Sequence, residues 1–160
     1  LDSFIRRVSA QRDCLNLGKE LIADIPGPIL ELGLGNGRTY DHLRELFPDR
    51  DIFVFDRRVA AHPDCIPDDD HMILGDITET LSSAVGKIGE EAALAHCDIG
   101  TGENESNARL ITAIAPLVDA LMLPGGIVCS DQEYSVASWV AQPLPDGVRA
   151  GRYFINRVER

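Results

Sequence analysis

Five times in this 160-residue chain a short, largely apolar run stops at glycine or aspartate: ILEL before Gly33, IFVF before Asp56, HMIL before Gly75-Asp76, ALAHC before Asp98, and IVCS before Asp131. Runs that are apolar nearly throughout, rather than alternately apolar and polar, mark strands buried on both faces, a condition met in parallel sheets covered by helices on each side. The stretches between them carry helical spacing. Tyr40, Leu43, Leu46 and Phe47 share one face over 39–47, and Leu110, Ile111, Ile114, Leu117, Val118, Leu121 and Met122 share one face over 106–123. The pattern predicts an α/β fold: a Rossmann-like, doubly wound, mostly parallel sheet in three layers.

Residues 1–27 read as an N-terminal helical segment closed by Ile25-Pro26-Gly27-Pro28, and residues 28–160 as the α/β core of the same single domain. Proline lacks an amide donor and restricts its predecessor, so the strand at 29–32 starts cleanly after that break. For the same reason Pro116 is expected to kink or split the 106–123 helix. Pro124-Gly125-Gly126 is expected to turn sharply into a strand beginning at Ile127, and residues 136–141 to form a short helical segment. After Asp131 only one strand, 153–158, is evident, so the C-terminal end of the sheet is expected to be shortened.

Composition narrows the partners. A net charge of −11, from 26 acids against 15 bases, repels phosphate backbones and anionic lipid, so neither nucleic acid nor a membrane is the expected partner. No apolar run reaches the length of a membrane span. The four cysteines, Cys14, Cys65, Cys97 and Cys129, have no CxxC spacing and read as reduced thiols of a cytoplasmic protein. Cys97 and Cys129 fall inside candidate strands and are assigned to the core.

In an open parallel sheet the ligand binds at the carboxyl ends of the strands, near the point where strand order reverses. There the chain offers Glu31 with Gly33, Gly35 and Gly37, then Asp56, Gly75-Asp76, Asp98, and Asp131-Gln132. Glycines at a strand-to-helix turn allow a ligand to press on the backbone, and the following helix presents unpaired amides. A dinucleotide fingerprint, G-x-G-x-x-G, would need glycine where Arg38 stands, which disfavours a nicotinamide-dependent oxidoreductase.

The stretch Glu31-Leu32-Gly33-Leu34-Gly35-Asn36-Gly37 instead resembles the first motif of class I S-adenosylmethionine-dependent methyltransferases. The likeness extends from about residue 28 to 131: an acid after the second strand, Gly-Asp after the third, and Pro-Gly-Gly before the fifth. It implies S-adenosyl-L-methionine as cofactor. Gly33, Gly35 and Gly37, with Asn36 between them, would line its methionine part, with Glu31 indirectly facing the ammonium. Asp56 would accept both ribose hydroxyls, a diol for which two carboxylate oxygens are suited. Asp76 would face the adenine amino group, and Arg57 and Ile77 would flank the ring. Asp98, after the fourth strand, is counted among the cofactor-binding residues.

Asp98 with Asp131 and Gln132 also resembles the magnesium ligands of catechol-type O-methyltransferases, but glutamine stands where that family has asparagine, and Thr101 where it has lysine. We therefore expect no metal, and keep those three residues as the candidates for one. A DNA-amine or protein-amide methylase motif after the fourth strand is missing. The expected activity is methyl transfer to a small-molecule acceptor. The rival is a non-catalytic cofactor-binding or assembly protein that retains the fold. The short chain leaves room for a pocket completed by the N-terminal helix or by a second subunit in a homo-oligomer.

Overall fold

The computed structural model describes residues 1–160. A long helix, α1 (Asp2–Leu21), precedes the first strand, β1 (Ile29–Leu32). Then follow α2 (Arg38–Leu46), β2 (Ile52–Asp56), a short 3-10 turn at Pro63–Cys65, and β3 (Met72–Leu74). The second half runs α3 (Ile77–Ser83), α4 (Val85–Ile88), β4 (Ala92–Cys97), α5 (Asn104–Leu121), β5 (Met122–Ser130), β6 (Trp139–Ala141) and β7 (Phe154–Val158).

The seven strands form one sheet in the order β3-β2-β1-β4-β5-β7-β6. The first five are parallel, and β7 runs antiparallel to both β5 and β6. Apolar residues alternate between two cores across the sheet. Ile29, Val54, Leu94 and Ile127 pack against Leu15 of α1, Ile22 just beyond its end, and Tyr40 and Leu43 of α2. Leu30, Phe53, Ala95 and Val128 pack against Leu81 of α3 and Ile111, Ile114 and Val118 of α5. Both faces are covered, which is why the central strands tolerate so little polarity. Strand order reverses between β1 and β4, and the turns after them open the crevice that such reversals create.

Several expectations are corrected. Residues 136–141 give no helix: Trp139–Ala141 is the short edge strand β6, so both C-terminal strands are present, though β6 has only three residues. Pro116 does not split α5, which runs unbroken from Asn104 to Leu121. Pro116 and Thr112, whose carbonyl loses its amide partner, both lie on the exposed side, where water can serve that carbonyl. Pro124-Gly125-Gly126 is no sharp turn outside the sheet. It is an irregularity within β5, since Ala92 pairs with Met122 but Leu94 pairs with Ile127, and Gly125 supplies the positive φ of 84°. Between β3 and β4 the chain forms two short helices, α3 and α4, that meet at Ala84.

Candidate functional site

The turn after β1 carries three glycines of unlike surroundings. A Cβ on Gly33 would lie 2.5 Å from the Asp98 carbonyl oxygen, and one on Gly37 would lie 2.5 Å from Cys65 Cβ. At Gly35 it would meet nothing within 4 Å. Gly33 therefore lets β1 and the β4 turn come together, and Gly37 lets the turn pack under the Pro63–Cys65 segment. Gly35 alone faces open space. The first motif is thus partly architectural, and Gly37 lies against Cys65 and Ala61 rather than in a cavity.

Asp56, the last residue of β2, fixes this turn. Its Oδ2 accepts hydrogen bonds from the amides of Leu34 at 2.9 Å and Gly35 at 3.2 Å, and its Oδ1 accepts one from the amide of Arg58 at 3.3 Å. Asp76 caps α3: its Oδ1 accepts from the amide of Thr78 at 2.9 Å and from Glu79 at 3.4 Å, and the Thr78 hydroxyl also donates to it. These bonds hold its carboxyl below the usual range, the Thr78 side chain contributing most.

A cavity of 370 Å³ runs along these strand ends, with Gly33 and Gly35 on one wall, Asp56, Arg57, Asp76 and Ile77 on another, and Asp98 and Gly100 on a third. A second cavity, of 420 Å³, lies between α1 and the start of α2 and shares Gly33, Gly35 and Asp98 with the first. Asn36 lines this second cavity, and its Oδ1 accepts from the Arg38 amide at 3.2 Å. Gln11 of α1, itself buried, donates from Nε2 to Asp98 Oδ2 at 2.6 Å. That bond ties the N-terminal helix to the end of β4 where the two cavities meet.

Glu31 lies behind the strand ends rather than on a cavity wall. It is 1% exposed, lines neither cavity, and sits opposite His96 in the β1–β4 register. His96 Nδ1 lies 2.6 Å from Glu31 Oε2, and His96 Nε2 hydrogen-bonds the Tyr153 hydroxyl. Burial works against charge on His96, but Glu31, supported by Asp98 and Asp131, outweighs it and holds the imidazole above its ordinary value. Burial raises the Glu31 carboxyl in turn, and His96 pulls it back. The other oxygen of that carboxylate, Glu31 Oε1, is buried without a partner. His96 belongs to none of the motifs at the strand ends. The available signal was the pair of titratable residues, Glu31 and His96, each inside an otherwise apolar strand.

Asp131 follows β5, and a Cβ on Gly100 would lie 2.7 Å from its Oδ2 and 2.8 Å from Gln132 Nε2. Burial, and then the charge of Asp98, push the Asp131 carboxyl up to about 6. Asp98, Asp131 and Gln132 do converge, but no group of three or more His, Cys, Asp or Glu side chains is arranged to hold a metal ion. Tyr134, Trp139 and Tyr153, which follow β5, are buried. Tyr134 stacks on Trp139 at 5.6 Å and Trp139 Nε1 donates to Asp119 Oδ1 at 2.7 Å, so both serve packing. All four cysteines are free, with Cys97 and Cys129 in the core.

A seven-stranded sheet of this order, with a glycine turn after β1 anchored by an acid at the end of β2, defines the class I methyltransferase architecture. The comparisons carry this to a family: the one described as S-adenosyl-L-methionine methyltransferase matches residues 1–158, and the chain belongs to it. The chain is similar to the S-adenosyl-L-methionine methyl transferase of Silicibacter pomeroyi DSS-3, at 42% identity and TM-score 0.91 over 97% of this chain and 95% of that one. Human methyltransferase-like protein 13, solved in complex with SAH, shares the fold at 16% identity and TM-score 0.59, over 99% of this chain and 80% of that one. NSun6 of Pyrococcus horikoshii, solved with SFG, does so at 10% identity and TM-score 0.59, over 90% and 51% of the two chains. No curated protein matches the chain. It is an S-adenosylmethionine-dependent methyltransferase. No helix is long and apolar enough to cross a membrane.

Proposed function

We propose that this methyltransferase acts on a small-molecule acceptor and holds S-adenosylmethionine across the strand ends. The observation that carries the reading is Gly35, the one glycine of the turn with open space where a side chain would stand, beside Asp56 already oriented by two amides of the same turn. The residues fit the cofactor. Gly33, Gly35 and Asn36 would border its methionine part, and Gly37 would keep the turn in place from behind. Asp56, its Oδ1 less engaged than its Oδ2, would accept the ribose hydroxyls. Arg57, Asp76 and Ile77 would enclose the adenine, with the uncapped oxygen of Asp76 toward the amino group. Glu31 would act from beneath the sheet surface through its unpartnered Oε1.

When bound, the cofactor supplies an electrophilic methyl group on a sulfonium, and the protein's part is to align an acceptor atom in line with it and exclude water. Gln11 and Asp98 border the junction of the two cavities, where the acceptor would have to meet the methionine end. Asp131, beside Asp98 and with a carboxyl that burial pushes up to about 6, would take up the proton that a hydroxyl or amine acceptor releases. A small acceptor suits a chain whose sheet connections carry no large insertion and whose net charge of −11 opposes nucleic acid. The magnesium candidates Asp98, Asp131 and Gln132 supply at most two carboxylates, few for a site that must replace water around the ion.

Calorimetric titration with S-adenosylhomocysteine, with NAD as comparison, tests the cofactor site without needing the acceptor. One-site binding of the homocysteine nucleoside and none of NAD is the expected result. NAD binding with no response to the nucleoside would overturn the reading.

A further inference from the structure

The 420 Å³ cavity between α1 and α2 is lined by Arg7, Arg12 and Arg38, with Thr39 and His42 alongside and Asp98 as the sole carboxylate. Three guanidiniums around one cavity stand out in a chain of net charge −11. Arg12, itself exposed, is paired only with the half-buried Asp13 beside it, at 2.9 Å, a contact too solvated to neutralise it. Neither Arg7 nor Arg38 forms an ion pair. The Arg38 guanidinium lies 5.1 Å over the Phe4 ring, which spends its face and leaves its N–H edges free.

The position of the cluster matters as much as its charge. The Gln11–Asp98 hydrogen bond at 2.6 Å pins α1 over the end of β4, and His42 Nε2 lies 3.0 Å from Asn16 Oδ1, joining α1 to α2 farther along. The cavity between these ties is therefore held open by fixed contacts. It joins the strand-end cavity at Gly33, Gly35 and Asp98, so a molecule seated among the arginines reaches toward the place where a methyl group would be transferred.

We propose that the arginine-lined cavity is the acceptor's binding site and that the acceptor is a small anion, carrying a carboxylate or phosphate that Arg7, Arg12 and Arg38 read. This rests on the methyltransferase reading of the adjoining cavity. Planar guanidinium forks suit both oxyanions, which they bind through paired hydrogen bonds. The methionine carboxylate of the cofactor is the other anion that could seek these arginines, and saturation with S-adenosylhomocysteine separates the two.

The test titrates inorganic phosphate, and separately succinate, into protein saturated with S-adenosylhomocysteine, following the backbone amide resonances of Gln11, Asn36 and Thr39. Wild type should show saturable shifts with at least one of the two anions, and the double variant Arg7→Gln/Arg12→Gln should bind it at least tenfold more weakly. Both side chains are exposed, so the variant should fold, and its affinity for S-adenosylhomocysteine should change less than threefold. Absence of saturable shifts with either anion in loaded wild type overturns the proposal and leaves the cofactor reading standing. A loss of S-adenosylhomocysteine affinity in step with the arginines also overturns it, by assigning them to the cofactor's carboxylate. Wild type that fails to bind S-adenosylhomocysteine refutes the underlying reading and this inference with it.

Discussion

Alanine at Gly35 and alanine at Gly37 should fail for opposite reasons. Both glycines have positive φ, 52° and 86°, so each alanine costs roughly 1–2 kcal/mol for left-handed backbone, offset by about 0.4–1 kcal/mol from a stiffer unfolded chain. For Gly35 that is the whole effect on folding, because its Cβ would meet nothing within 4 Å. At Gly37 the methyl would stand 2.5 Å from Cys65 Cβ and 2.9 Å from the Cys65 carbonyl oxygen, and relieving that overlap adds roughly 1–3 kcal/mol. At about 2–4 °C per kcal/mol for a chain of this size, Gly35→Ala should melt within about 5 °C of wild type. Gly37→Ala should fall further, by roughly 2–18 °C.

Ligand binding should invert that order. The Gly35 methyl projects into the cavity proposed for the cofactor, and crowding of about 1–3 kcal/mol corresponds to a loss of roughly five- to 150-fold in affinity for S-adenosylhomocysteine. Gly37→Ala, titrated well below its melting temperature, should bind within about threefold of wild type. Circular dichroism melts and calorimetry on the same preparations give both readouts. A Gly35→Ala protein that binds normally would refute the assignment of that open space to the ligand. A Gly37→Ala protein as stable as wild type would refute the packing argument.

Three other outcomes follow from the polar groups. Asp56→Ala should weaken S-adenosylhomocysteine binding by about 1.5–3 kcal/mol through lost ribose hydrogen bonds and a loosened turn, and unchanged affinity by calorimetry removes Asp56 from the site. The carboxyl of Asp131, raised to about 6 in the folded protein from 3.8, holds a proton that the unfolded chain has already released between those values. Stability should therefore decline as pH rises from about 4 to 6 and then level off, so Asp131→Asn should stabilise by about 1–2 kcal/mol at pH 8, discounted for partial solvation, and by almost nothing at pH 4. Equal effects at both pH values in urea melts contradict the assignment. His96→Leu leaves Glu31 buried without its partner and should cost about 3–5 kcal/mol, recoverable in part by adding Glu31→Gln. Absence of any recovery in the double variant means the two side chains are not coupled.

The strands of the parallel half were legible because each is an apolar run bounded by glycine, proline or aspartate, and the strand-end residues followed from topology alone. Three features resisted for separate physical reasons. β6 is an edge strand in which only Trp139 of three residues is buried, too short and too exposed to show a period. The Pro-Gly-Gly stretch is indistinguishable in sequence from a turn, since a bulge in β5 uses the same residues. The Glu31–His96–Tyr153 chain depends on register across β1 and β4 and on a loop 57 residues beyond His96, which no local pattern encodes. In the site itself, the motif pointed to the strand ends, where the cofactor is proposed to lie. It could not say that Gly33 and Gly37 are spoken for by backbone and Cys65, or that α1 brings arginines to the same place.

The placement of β7 between β5 and β6 bears on how the chain acquires this sheet. β5 is completed at Ser130, yet its outer edge stays unpaired until Phe154–Val158 arrives and runs back along it. In that interval Ile127, Val128 and Cys129, all 0% exposed in the finished protein, present an apolar strand edge to solvent and to other nascent chains. Early termination or proteolytic trimming ahead of residue 158 should therefore give insoluble protein rather than a slightly less stable enzyme, and expression yield should depend on the last strand more sharply than its five residues suggest.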